Sequence, residues 1–181
     1  MAKGGSSALA PWRDEEWEIW GFPWLIYPRV DRMFEPHSEE LSQTFEGISA
    51  TDDWLPKFLK RCGDVPVYCD PSRMHLFPNA IEYPLKEICS ALPYAFLENT
   101  IAYQLAMAIW EKVDVIGLWG VHMMGHLEFV WQRPSVTYLV GLAQGRGIEV
   151  VLAPGSPLFM SGYEAGRYGP KSNERFVATA A

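Results

Sequence analysis

Asn99-Thr100-Ile101-Ala102-Tyr103-Gln104-Leu105-Ala106-Met107-Ala108-Ile109-Trp110-Glu111-Lys112-Val113-Asp114-Val115-Ile116-Gly117-Leu118-Trp119-Gly120-Val121-His122 is the stretch that decides the fold. Asn99 or Thr100 can cap a helix, its side-chain oxygen accepting from an amide one turn in. Ile101, Leu105, Ala108 and Ile109 recur at helical spacing, and Ala102, Ala106 and Met107 widen the stripe. That width predicts a helix packed on a sheet. Lys112 suits the last turn, where carbonyl ends favour a cation. Residues 115–121 form a short apolar run, β-branched at both ends, as a strand covered on both faces requires. Gly117 and Gly120 weaken that strand but admit close approach of backbone or ligand. A polar loop is expected next, at the strand's carboxyl end, where open α/β sheets bind ligands.

Beyond this unit, Pro134 suits the first position of a helix reaching Gln144, and residues 148–152 read as the last strand. Residues 162–181 are expected to be loosely ordered or docked on a partner. Towards the amino terminus, Lys3-Gly4-Gly5-Ser6-Ser7 looks like the turn between a first strand and a first helix, able to cradle a phosphate. Almost no strand precedes it, so either that strand is very short or the sequence begins late; such a run also serves as a flexible tail. Residues 17–21 read as a strand, and so do 32–35, with Glu35 and His37 at a polar corner that is either a pocket wall or a solvated loop. Asp52 or Asp53 caps a helix over 54–61, and 65–69 form another strand. Residues 70–95, rich in proline, are expected to be a long excursion with at best a short helix at 83–89. Strands alternating with helices predict a Rossmann-like three-layer α/β sandwich with a mostly parallel sheet, one domain over residues 1–161.

Composition sets limits. At 181 residues the chain has room for one domain, and 49% hydrophobic against 20% charged residues allows a full core. A net charge of −7 and a pI near 5.1 argue against a nucleic-acid partner, which needs clustered Lys and Arg. Cys62, Cys69 and Cys89 have neither disulfide-framework nor zinc spacing, and reduced thiols fit a cytoplasmic protein. No signal peptide and no membrane span are expected. Most of the eight tryptophans read as core residues, and an exposed subset, or the carboxyl-terminal segment, would mark a homo-oligomer interface.

Residues 98–106, Ile116-Gly117-Leu118-Trp119-Gly120-Val121, Glu128-Phe129-Val130-Trp131-Gln132-Arg133-Pro134, Gly4-Gly5-Ser6-Ser7 and Trp17-Glu18-Ile19-Trp20-Gly21 together resemble uncharacterised bacteriophage proteins. Those in turn resemble the bacterial sialyltransferase-like Rossmann group. The resemblance covers residues 4–155 in coarse pattern. It implies a nucleotide or nucleotide-sugar held by Gly4, Gly5, Ser6, Ser7, Asn99 and Thr100, as substrate and without a further cofactor, in the host cytoplasm if the chain is phage-encoded. The chain departs from the group at His122, where Asp tends to stand, and in the near-absence of the strand before the glycine turn.

The polar set His122, His126, Glu128 and Arg133 supplies the candidate chemistry. A histidine near its reference pKa of ~6.5 suits removal of a proton from an acceptor hydroxyl. Glu128 could orient it and Arg133 could hold a phosphate. Equally, Glu128 and Arg133 could pair to brace the loop while the histidines are solvated. His122 and His126 lie four apart, but no third ligand has metal spacing, and no metal is expected. Three functions follow: a glycosyltransferase-like enzyme, a nucleotide-binding protein without catalysis that sequesters or senses its ligand, and a phage structural or assembly protein that kept the fold.

Overall fold

The computed structural model describes residues 6–40, 54–123 and 127–159. Gly4, Gly5, His126, the capping aspartates Asp52 and Asp53, and the 162–181 tail lie outside the described residues. The described strands are β1 (Trp20–Gly21), β2 (Arg32–Glu35), β3 (Val67–Cys69), β4 (Ala80–Glu82), β5 (Val115–Leu118) and β6 (Glu149–Leu152). The helices are α1 (Trp54–Cys62), α2 (Leu85–Ala91), α3 (Thr100–Glu111) and α4 (Leu127–Gly145). β1 to β4 form a four-stranded sheet in sequence order, β5 and β6 a two-stranded one, and every pairing is parallel. With helices on both sides, this is the Rossmann-like α/β arrangement that the alternating pattern predicts.

Helix α3 links the two sheets. Asn99, in extended conformation, accepts from the Ala102 amide at 3.0 Å and starts it. Lys112 ends it in a left-handed conformation (φ 59°), its amide bonding the Ala108 and Ile109 carbonyls. Leu105, Met107 and Ile109 are almost fully buried, at roughly 1.5–3 kcal/mol each relative to exposure. Midway along the helix, the Gln104 side-chain amide donates to the Gly21 carbonyl at the end of β1, 3.1 Å away. At the helix end Glu111 accepts from Arg32, the first residue of β2, at 2.6 Å. β5 begins four residues beyond Glu111, so β1, β2 and β5 set out from the same end of the molecule and run the same way. Arg32 also pairs with Glu18 and lies against the rings of Trp20 and Tyr68, at 5.1 and 5.6 Å.

Two elements differ from the sequence reading. Strand β4 sits inside the excursion at 70–95, where prolines at 78 and 84 bracket three residues that carry little pattern of their own. Helix α4 begins at Leu127, so Gln132 and Arg133 are helical rather than in a loop, and Pro134 lies inside the helix. Proline removes an amide and crowds the preceding turn. Here side chains serve the carbonyls around it: Ser135 Oγ and Asn99 Nδ2 donate to the Gln132 oxygen, and Thr137 Oγ1 to those of Arg133 and Pro134.

On β5 a Cβ at Gly117 would lie 1.9 Å from the Trp119 ring and 2.9 Å from that of Trp17. Those two indoles meet edge to face, 5.2 Å between centroids. Gly117→Ala should therefore displace Trp119 and cost about 1–3 kcal/mol. Urea unfolding checks the loss, and a red-shifted tryptophan emission in the folded variant checks its cause.

Candidate functional site

The polar corner forms where β5 ends. Gly120 takes a left-handed φ of 78°, which turns the chain out of the strand, and Met123 follows with a φ of 50°. A side chain at Gly120 would sit 3.1 Å from Ser7 Cβ, so glycine lets the 3-10 turn Ser6–Leu9 lie directly on this loop. The Gly120 amide donates to Ser6 Oγ at 2.9 Å, and Ser6 Oγ stands 2.8 Å from His122 Nε2. With its oxygen receiving the amide proton, the serine hydroxyl is oriented to give its own proton to an unprotonated Nε2. Trp12 donates its indole N–H to the Ser7 carbonyl at 3.1 Å and fixes the turn. The serine turn and the end of β5 thus meet although Ser6 and His122 lie 116 residues apart in the chain.

The other predicted residues divide. Asn99 is engaged at the joint of α3 and α4: its oxygen caps α3, and its amide donates to the Gln132 carbonyl and to Ser135 Oγ, at 3.1 and 3.2 Å. Thr100 is buried beside it. Arg133 donates from Nε to the Leu158 carbonyl at 2.6 Å and from Nη2 to that of Pro157 at 3.0 Å, bracing the 3-10 turn Pro157–Phe159. Glu128 belongs to α4, with its side chain outside the described residues.

A second polar group gathers at the ends of β2 and β3. Glu35, only 3% exposed, meets His37 Nδ1 at 2.7 Å. Asp70 caps the turn Pro71–Leu76 through the Ser72 amide, 2.9 Å away. Beside them the buried Cys69 thiol is pushed up to about 11, chiefly by burial and then by the carboxylates of Glu35 and Asp70. Among the described residues, no cluster of three His, Cys, Asp or Glu side chains is placed to hold a metal ion.

A cavity of about 930 Å³ opens beside the Ser6 corner. Residues 113–122 form one wall and residues 16–20 the facing wall, while Ile101, Leu105 and Ala108 of α3 close one side. Ser7, Gly120 and His122 line it, whereas Asn99 and Thr100 do not. Its remaining charged wall residues are acidic: Glu16, Glu18 and Asp114. Sequence reading missed this space, because its aromatic wall residues were assigned to the core or an interface. Among the described residues no helix is long and apolar enough to cross a membrane. No family model, no curated protein and no solved structure matches the chain.

Asn99→Ala is expected to cost about 1–2 kcal/mol of stability, through the lost cap and helix–helix bonds. His122→Ala, at a half-buried position with one hydrogen bond to Ser6, should cost less, about 0.5–1 kcal/mol. Chemical denaturation of the two variants makes the comparison. The Tyr27 phenol is pushed up to about 12 by burial, against the lowering effect of the Phe22 amide that donates to it. Both Tyr27 and Cys69 are raised in the fold, so their contribution is intact below about pH 9. It fades as the pH climbs through the folded values towards about 12. Denaturation midpoints measured from pH 8 to 11 should fall, less steeply in Tyr27→Phe.

Proposed function

We propose that the chain binds a nucleotide or nucleotide-sugar at the carboxyl end of β5, with the phosphate against the Ser6–Ser7 turn and the Gly120 loop. The supporting observation is the Ser6–Gly120–His122 corner. A hydroxyl, a left-handed glycine turn and an imidazole converge at the end of a parallel strand, the place where open α/β sheets take ligands. The resemblance to the sialyltransferase-like group supplies the ligand class, and a glycosyl transfer or hydrolysis with His122 as base is the activity it favours. In that reaction His122 takes the tautomer that donates from Nε2–H to Ser6 Oγ, which orients the ring, and leaves Nδ1 to remove the acceptor's proton. Arg133, tied to backbone carbonyls, keeps a bracing role.

A non-catalytic, ligand-holding protein is the second reading. It draws on one feature: the contact with Ser6 Oγ gives His122 a part in holding the corner together.

Thermal shift against nucleoside mono- and diphosphates and their sugar conjugates tests binding. A true ligand at a hundred times its dissociation constant stabilises by about 2.7 kcal/mol. Ser6→Ala and His122→Ala should lose most of that shift, while Asn99→Ala keeps it on a lowered baseline. A flat response across the panel at millimolar ligand would remove the proposal. Intact ligand after prolonged incubation with acceptor sugars would leave binding and remove transfer.

A further inference from the structure

Each sheet has one edge strand that faces the cavity. Among the described residues, β5 pairs with β6 alone and β1 with β2 alone. The Asp114 and Leu118 carbonyls accept from the β6 side, from the amides of Glu149 and Ala153. Alternate residues of a parallel strand turn their backbone groups to opposite edges. Val115, Gly117 and Trp119 therefore direct theirs into the cavity. On the opposite wall the Ile19 carbonyl accepts from Asp31 and Arg32 next to β2, which turns the Trp20 backbone towards the cavity. Two sheet edges running the same way thus face each other across an apolar gap. One side is closed by α3 and the other by the Trp17–Trp119 pair.

The size of the gap matches one strand. About five residues at a rise of about 3.3 Å, a strand spacing of about 4.8 Å and a layer spacing of about 10 Å fill roughly 800 Å³. The cavity measures about 930 Å³. Its acidic wall residues oppose a phosphate within it, and its walls of Trp17, Ile19, Ile116 and Leu118 suit apolar side chains. The exit is fixed as well. Ser6 is held at the Gly120 end, where a strand parallel to β5 would finish.

We infer that the gap is the seat of an additional strand: an extended, apolar peptide running parallel to β1 and β5 and joined to the amino-terminal side of Ser6. Seated there, it merges the two sheets into one seven-stranded parallel sheet, with the chain reversal of its strand order beside the Ser6–His122 corner. Backbone pairing to two edges gives the affinity, and alternate side chains facing α3 and the tryptophan pair give the selectivity.

The test fuses a Val-Ile-Val-Leu-Val peptide ahead of Lys3 in the full chain. Two controls carry the same peptide after Ala181, or a proline-interrupted version ahead of Lys3. The fused strand is expected to raise the melting temperature above that of both controls. It should also slow amide exchange at Val115, Gly117 and Trp119 by about tenfold, the factor one net backbone hydrogen bond supplies. Exchange at Ile116 and Leu118, already bonded to β6, should change least. Equal exchange in the fused strand and the proline version would overturn the inference. So would equal protection from the carboxyl-terminal fusion, or protection found only in a concentration-dependent dimer. The readout needs no nucleotide, so it stands or falls separately from the ligand proposal.

Discussion

The burial of one face of α3 is the interaction on which the arrangement depends. Each parallel sheet here is small, and a parallel pair must be covered on both faces to be stable. Leu105, Met107 and Ile109 belong to the same buried cluster as Ile116 and Leu118 of β5, Phe34 of β2, and Leu139 and Val140 of α4. The polar contacts then set the angle: Gln104 on the end of β1, Glu111 on the start of β2, and Asn99 on α4. Apolar burial supplies most of the free energy, while these few bonds determine which strand ends come together. An exposed ion pair would contribute under about 1 kcal/mol, so Arg32–Glu111 matters more as a locator than as a source of stability.

From that placement the corner at β5 follows. A helix running opposite to its strands delivers the chain to the start of β5, and β5 delivers it to Gly120 at the far end. Because Gly120 has no side chain, the Ser6–Leu9 turn can rest on the loop, and Ser6 reaches both the amide and His122. The constraint is local and stereochemical. A β-branched residue at position 120 would meet both a left-handed backbone and Ser7, and the corner would open.

Much of this was legible in the chain, and the reasons differ by element. The α3–β5 unit carries two periodicities in sequence, helical and then continuous apolar, with Asn99 at the junction, so its limits emerge within a few residues. Residues 32–35 likewise announce β2. β4 stays hidden because Ala80-Ile81-Glu82 is too short for alternation to register. The start of α4 is obscured by Pro134, which usually opens a helix; here it lies seven residues in, with Asn99, Ser135 and Thr137 donating to the carbonyls of Gln132, Arg133 and Pro134. Ser6 and His122 each stand out, because a glycine–serine turn and a strand end are both chemical signals, but their mutual contact and the distance of Asn99 from them are written in neither. The Arg133 contact with the Pro157 and Leu158 carbonyls could not be anticipated, since backbone acceptors leave no trace in residue identity.

The edges of β1 and β5 that have no strand partner among the described residues connect fold to site. Edge strands that face apolar surroundings lack the water that normally serves exposed amides, and such edges are ready to pair with another strand. Trp17 and Trp119 shelter the gap from one side, and that shelter makes backbone pairing within it stronger than on an open surface. A strand seated there would enter the Ser6 turn from a fixed direction, tightening the two hydrogen bonds that shape the corner. Occupancy of the gap and affinity at the corner are then coupled, and linkage requires the coupling to be reciprocal. A ligand that needs Ser6 in place must favour the seated strand by the same factor as the strand favours the ligand.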